Sequence, residues 1–196
     1  MRIPRTTLSF TALALFACSE APSPTEVSSA DLTVAADAAL GKVEGGGHYA
    51  IVLGGGLTLD AQFAVSAQQT DTDETARGTF HHRTELFGDG IDFHGTVTCL
   101  AIDAAKGRAW IGGVVTKNRS VREPFASGDI YQPGRDIWFR VLDVGQPPDG
   151  ADRTTFVGFE GGGGIITSAE YCDAKIWPEG DARTNALTSG NLIVMP

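Results

Sequence analysis

The sequence predicts an all-β protein, an antiparallel β-sandwich or barrel of about eight or nine strands, preceded by a signal peptide and a flexible tether. Two observations carry this prediction. From Gly41 onward, apolar and polar residues alternate with the period of two that is typical of half-buried strands, and no run shows the apolar stripe of a helix. Turns rich in Gly, Pro and Asp separate the alternating runs.

The composition indicates one folded domain of modest size. Apolar residues make up 42 % of the 196 residues and charged residues 20 %, which excludes a wholly disordered chain and a polytopic membrane protein. Lysine and arginine number 15 against 24 acidic residues, for a net charge of −9. A chain this acidic, without a basic run, is not expected to bind nucleic acid.

Residues 1–17 are typical of a signal peptide. Arg2 and Arg5 form a positive start, and the mainly apolar run 8–16 follows. This run is shorter than the about 20 residues that a helix needs to cross a bilayer. We therefore expect an export signal rather than a membrane span.

The signal ends in Leu15-Phe16-Ala17-Cys18, which resembles the lipobox of bacterial lipoproteins. The resemblance implies cleavage before Cys18 and attachment of lipid to this residue, which makes the membrane a partner. It also implies an exported protein that is lipid-anchored to the bacterial cell envelope, at the outer membrane or the cell surface. The alternative is ordinary cleavage at the same place and a secreted protein without lipid.

Residues 18–40 are predicted to be the lipidated cysteine and a flexible linker, because their first half is rich in Pro, Ser and Glu. Residues 41–196 are predicted to form a single all-β domain. Its candidate strands, in chain order, are 48–53, 61–68, 79–86, 91–99, 109–117, 136–143, 154–159, 165–174 and 191–195. The glycine runs 45–47, 54–56 and 161–164 match no nucleotide-binding pattern, so we expect hairpin tips or loops there and predict no cofactor.

Three strand motifs within residues 75–175 resemble a secreted bacterial β-domain. They are Gly95-x-Val97-x-Cys99-Leu100, Ala109-x-x-Gly112-Gly113, and Phe139-x-Val141-x-Asp143-x-Gly145 with the Pro148-Asp149 turn after it. The resemblance implies export and a β-fold. It says nothing about activity, so no catalytic residue is carried over from it.

The three cysteines are Cys18, Cys99 and Cys172. With Cys18 acylated, an even pair remains in an oxidising compartment. This favours a disulfide between Cys99 and Cys172. Two separate buried thiols are the alternative.

His81 and His94 are candidate ligands of a transition metal. Their strands are predicted to form a hairpin, in one register of which His81 lies opposite His94 and Arg83 opposite Asp92, all facing outward. Two facing imidazoles could begin a zinc or copper site. Solvent-facing histidines without a metal are the alternative. His82 is expected to point inward as a neutral, hydrogen-bonded ring.

Asp143, Asp149 and Asp152 fall within a ten-residue turn and could offer oxygen ligands to Ca²⁺. The segment lacks the acidic spacing and terminal glutamate of an EF-hand loop. Aspartate is also a common turn residue that accepts hydrogen bonds from nearby backbone N–H groups. A turn without a metal is therefore the alternative.

Trp138 and Trp177 are candidate binding residues. The strand 136–143 is apolar on both faces, and Trp177 lies in a Lys-Ile-Trp-Pro segment. An exposed tryptophan beside Lys or Arg suits contact with a protein or a glycan. The alternative is that loops cover the second face of this strand.

No catalytic constellation is evident, and Gly-x-Ser-x-Gly is absent. We predict a non-enzymatic structural, adhesive or partner-binding role in the cell envelope, with a protein or a glycan as partner. One alternative is a β-barrel that holds a small apolar ligand in an interior lined by Phe63, Phe80, Phe93 and Phe139. Another is a cell-envelope hydrolase whose site the sequence does not reveal.

Overall fold

In the computed structural model, the described residues form a closed antiparallel barrel of eight strands, so the predicted fold class is confirmed. The structure describes residues 39–53, 56–70, 75–145, 150–158, 165 and 167–196. The signal peptide, Cys18 and the linker up to residue 38 lie outside them. Among the residues described, no helix is long and apolar enough to cross a membrane.

The strands follow one another around the barrel in chain order, and β8 pairs with β1 to close it. The strands are β1 (Ala39–Val52), β2 (Thr58–Thr70), β3 (Arg77–Leu86), β4 (Asp89–Asp103), β5 (Arg108–Asn118), β6 (Asp136–Leu142), β7 (Arg153–Thr154) and β8 (Asn185–Met195). One helix, α1 (Ser168–Ala174), is accompanied by 3-10 turns at Ala104–Lys106, Asp129–Tyr131 and Glu179–Asp181 in the described part of the chain.

Glycines allow the barrel to close where β1 meets β8. The prediction of a hairpin tip at residues 45–47 is wrong, because these residues lie inside β1 and pair with residues 190–192 of β8. A β-carbon on Gly45 would lie 2.1 Å from the carbonyl oxygen of Asn191. Only glycine lets the two backbones approach this closely.

Aromatic side chains fill the interior of the barrel. Phe63, Phe80, Phe93 and Phe139 are all buried in one core cluster. The ring of Phe80 stands edge-on to that of Phe139, with centroids 5.5 Å apart. The ring of His82 is fully buried among them, 4.5 Å from Phe139 and 5.6 Å from Phe63. These rings pack against one another in the interior of the barrel.

His82 is a polar group inside this apolar interior, pointing inward as its place in the alternation predicted. The hydroxyl oxygen of Tyr49 lies 3.5 Å from His82 Nδ1, and His82 Nε2 has no hydrogen-bond partner among the described residues. Burial, with a smaller contribution from the charge of His81, lowers the pKa of His82 to about 3. The ring is therefore neutral at pH 7.

Residues 165–174, predicted as a strand, contain helix α1 instead. Its start is fixed by a capping box: the Thr167 side chain accepts a hydrogen bond from the Glu170 N–H, and the Glu170 carboxylate accepts one from the Thr167 N–H. A helix of seven residues is too short to show an apolar stripe in the sequence. The predicted strand at 154–159 is also wrong, because β7 ends at Thr154.

A disulfide between Cys99 and Cys172 holds α1 against the outer wall of the barrel, as the cysteine count favoured. The two cysteines are 73 positions apart in the chain. Closing a loop of this length stabilises a fold by about 4 kcal/mol in the chain-entropy model. Around the bond, Trp110, Tyr171 and their neighbours form a second apolar cluster outside the barrel.

His82→Phe should make the stability of the protein less dependent on pH. In the wild type, the unfolded chain binds a proton at His82 below the ordinary pKa of 6.5, whereas the folded chain stays neutral down to about 3. Stability that is present above pH 6.5 is therefore lost as the pH falls, by about 2 kcal/mol between pH 7.5 and 5 for this group. Denaturant unfolding at pH 7.5, 6 and 5 measures the effect, and equal losses in both proteins would contradict it.

Candidate functional site

His81 and His94 face each other on the outer wall of the barrel, in the predicted register. In the β3–β4 ladder, His81 pairs with His94 and Arg83 pairs with Asp92. Because side chains alternate along a strand, these groups lie outside while the neighbouring His82 points into the core. The hairpin therefore brings two imidazoles and a carboxylate together on one surface.

Asp92 completes what we call the histidine–aspartate cluster: His81, Asp92 and His94. Asp92 Oδ1 accepts a hydrogen bond from His81 Nε2 at 2.9 Å and lies 3.2 Å from His94 Nε2. The two imidazole rings are stacked, with centroids 4.1 Å apart and 10° between their planes. Within the described residues, no other group of three His, Cys, Asp or Glu side chains converges in this way.

The sequence prediction named the two histidines as ligands and missed Asp92. The sequence feature that indicates Asp92 is the spacing within β4. Asp92 precedes His94 by two residues, so both side chains share the outer face. Asp92 also lies one diagonal step from His81 across the hairpin, within reach of a long side chain. The prediction placed Asp92 opposite Arg83 and did not include its diagonal contact with His81.

The surroundings of His94 favour its neutral form. Burial lowers its pKa, and the positive charges of His81, Arg119 and Lys117 lower it further, against the opposing effect of Asp92. A neutral imidazole keeps a lone pair on one ring nitrogen, which is the form that binds a metal ion.

A groove of about 440 Å³ opens beside the cluster on the outer wall. His81 and His94 form part of its lining. The rest is lined mainly by short side chains, including Ala64, Ser66, Thr79, Thr96 and Thr116. The groove therefore leaves room for water or another small ligand next to the two imidazoles.

Asp143 and Asp152 use their carboxylates to hold the loop after β6 against β8. The nearly buried Asp152 accepts hydrogen bonds from the backbone N–H groups of Val144 at 3.1 Å and Leu192 at 2.7 Å. Asp143 likewise accepts one from the β8 backbone at 3.0 Å. Asp149 lies outside the described residues, so the calcium site stays a prediction.

Trp138 and Trp177 are half-buried in the apolar cluster beside α1. The ring of Trp138 stacks on Tyr171, with centroids 5.6 Å apart. The guanidinium groups of Arg108 and Arg140 lie 4.6 and 4.9 Å from the centroid of Trp177. The second face of β6 is thus covered, as in the alternative that the sequence left open, and a binding role for either tryptophan stays a prediction.

Large exposed apolar residues concentrate at one end of the barrel. The β1–β2, β3–β4 and β5–β6 connections lie at this end, which we call the distal end because β1 begins at the opposite one. Of the six large apolar residues that the described chain exposes most, four lie in or beside these connections: Val52, Phe87, Val121 and Ile130.

Phe87 is the most exposed of these four residues. It lies in the turn between β3 and β4 with φ of 55°, a left-handed conformation that is costly for a bulky side chain. Its side chain is 72 % exposed, and the Arg122 guanidinium lies 5.2 Å from the ring centroid. Arg122 also forms an ion pair with Asp89 at 3.1 Å. A strained, exposed phenylalanine adds little to the stability of the fold, which points to a binding role.

No protein-family model matches this chain, and neither a curated protein nor a solved structure matches it. The resemblance of the N-terminus to a lipobox and that of residues 75–175 to a secreted β-domain therefore stay predictions. What the candidate sites can do is inferred from their own geometry.

Asp152→Ala should destabilise the protein by about 3 kcal/mol, because it leaves two backbone N–H groups without their acceptor. Asp129→Ala is the matched control, since it removes an exposed carboxylate that pairs with Arg135 at the surface. Thermal and denaturant unfolding measure both variants, with and without added Ca²⁺. If Ca²⁺ stabilised the wild type but not Asp152→Ala, the acidic turn would bind calcium and its role would not be the hydrogen bonds alone.

Proposed function

We propose that the protein is an exported lipoprotein of the bacterial cell envelope, anchored through lipid on Cys18, whose barrel has a non-enzymatic, partner-binding role. The signal-like residues 1–17 and the lipobox-like sequence that follows them support the anchor. The cysteine pairing supports it too, because the disulfide uses Cys99 and Cys172 and leaves Cys18 for the lipid.

The exposed Phe87 at the distal end is the observation that carries the binding role. Because β1 begins at the opposite end of the barrel, a chain anchored upstream of β1 can present its distal loops away from the membrane. Phe87 and Val121 are exposed there beside the ion pair of Arg122 with Asp89. Aromatic and arginine side chains are the residue types that contribute most to protein–protein binding.

A protein partner suits these residues better than a glycan does. The large apolar side chains exposed at the distal end are aliphatic or phenylalanine, which suit apolar contact with a protein surface. A glycan was suggested by Trp138 and Trp177. Trp138 stacks on Tyr171, and Trp177 packs against the guanidinium groups of two arginines. We therefore assign the distal end to a protein of the cell envelope.

The other functions considered from the sequence have weaker support. A small apolar ligand would need an interior cavity lined by the four phenylalanines of the core, and these rings pack against one another and against His82. A hydrolase that uses a serine nucleophile would need a base beside it. The buried Ser168 bonds through its hydroxyl to Asp136 and Thr98 rather than to a histidine.

Cys18→Ala should abolish both the labelling of the protein with palmitate and its retention in the membrane fraction, because the lipid is then missing. The measurement is metabolic labelling with fractionation in a bacterial host, and Cys172→Ser is the control that keeps the lipidated cysteine. Unchanged membrane retention of Cys18→Ala would overturn the anchor.

A photoreactive phenylalanine analogue at position 87 should cross-link in cells to a discrete protein. The same analogue at position 106, in an exposed turn at the opposite end, should not. The partner so identified should bind the purified wild type, and Val121→Asp should weaken this binding by about tenfold or more, because it places a charge in an apolar contact. Equal cross-linking from both positions, or equal affinity of Val121→Asp, would refute docking at the distal end.

A further inference from the structure

We infer that His81, Asp92 and His94 bind a divalent transition-metal ion of the zinc class on the outer wall of the barrel. This inference is independent of the proposed partner-binding role, because it rests on different side chains. Its first support is the chemistry of the donors. Two imidazole nitrogens and one carboxylate oxygen suit zinc, nickel or copper, whereas calcium and magnesium prefer oxygen ligands.

The spacing of the three donor atoms is the second support. Two ligands bound to one tetrahedral zinc ion lie about 3.3 Å apart, since each is about 2.0 Å from the metal. Asp92 Oδ1 is 2.9 Å from His81 Nε2 and 3.2 Å from His94 Nε2. These two separations are close to the one that the ion imposes, and all three donor atoms lie within 4.8 Å of one another. The metal would replace the proton that His81 and Asp92 share.

His94 Nε2 provides the third support. This atom is shielded from solvent and has no hydrogen-bond partner among the described residues. Asp92 Oδ1 is near enough, but the pair does not have hydrogen-bond geometry. A shielded polar atom without a partner is costly. A metal ion placed between the three donors would satisfy it.

The strands hold the cluster in place. His81 and His94 lie in the paired centre of the β3–β4 hairpin, and the backbone of Asp92 bonds to the Ser120 hydroxyl and to the Arg119 N–H. Donors on a rigid ladder lose little freedom when they bind an ion. The stacked rings must tilt, however, because nearly parallel imidazoles do not aim both lone pairs at one point.

Three protein donors leave one position of a tetrahedral ion open. The adjoining groove, with Thr79, Thr96 and Thr116 in its lining, offers room for a water molecule or a small anion at that position. The nearby cations Lys117 and Arg119 oppose a positive ion, so we expect binding of moderate strength rather than the affinity of a closed structural zinc site.

The test is calorimetric titration of the purified full-length mature protein with Zn²⁺, and with Ca²⁺ as the chemical control. We expect one Zn²⁺ per chain, bound with an affinity that an excess of Ca²⁺ leaves unchanged. His94→Gln and Asp92→Asn should each weaken Zn²⁺ binding by about tenfold or more, since one of three ligands is lost. His48→Gln is the matched control: His48 also lies near a carboxylate, 3.5 Å from Asp60, but this exposed pair has no third ligand among the described residues.

Imidazole ¹⁵N NMR of the wild type gives a second readout that does not depend on how the variants fold. Zn²⁺ should shift the Nε2 resonances of His81 and His94 and leave that of the buried His82 unchanged. Absence of Zn²⁺ binding, or equal affinity of the wild type, His94→Gln and Asp92→Asn, would overturn the site. So would zinc-induced shifts confined to His48.

Discussion

The closure of β1 onto β8 is the constraint on which the rest of the structure depends. Residues 42–49 pair with residues 187–195, and the paired backbones leave no space for a side chain at Gly45. The carboxylate of Asp152 adds a buried hydrogen bond to the N–H of Leu192 in β8. Once the seam is closed, the strand order is continuous around the barrel, and the side chains of each strand alternate between its inside and its outside.

This division into inside and outside decides where function can reside. The interior is occupied by aromatic rings and by His82, whose neutral form the apolar surroundings enforce. The groups that we propose to bind a partner or an ion lie on the wall or in the loops. His81 and His82 are neighbours in the chain, yet one is open to solvent and the other is part of the core, because their strand alternates.

The sequence was sufficient for an antiparallel all-β fold, because a period of two over many residues is a strong signal. It left sandwich and barrel open, and the observed register of the β3–β4 hairpin is one that it allowed. It failed where the signal was short or ambiguous. Three consecutive glycines such as residues 45–47 are typical of a turn. Their position within a strand is explained only by the close pairing of β1 with β8. Helix α1 is too short for a visible stripe. The exposure of Phe87 depends on a left-handed turn that the sequence pattern does not predict.

The β3–β4 hairpin joins the two proposals in one element. Its turn presents Phe87, and its stem holds the pair of His81 and His94 five residues further along the strands, about 17 Å from the last pair before the turn. A metal ion shared by His81 and His94 would link the two strands and restrict the motion of the turn between them, which lowers the entropy that a partner must remove on docking. The two sites nevertheless use different atoms. Phe87 can make an apolar contact without a metal, and the cluster can bind an ion without a partner, so each proposal stands or falls on its own measurement.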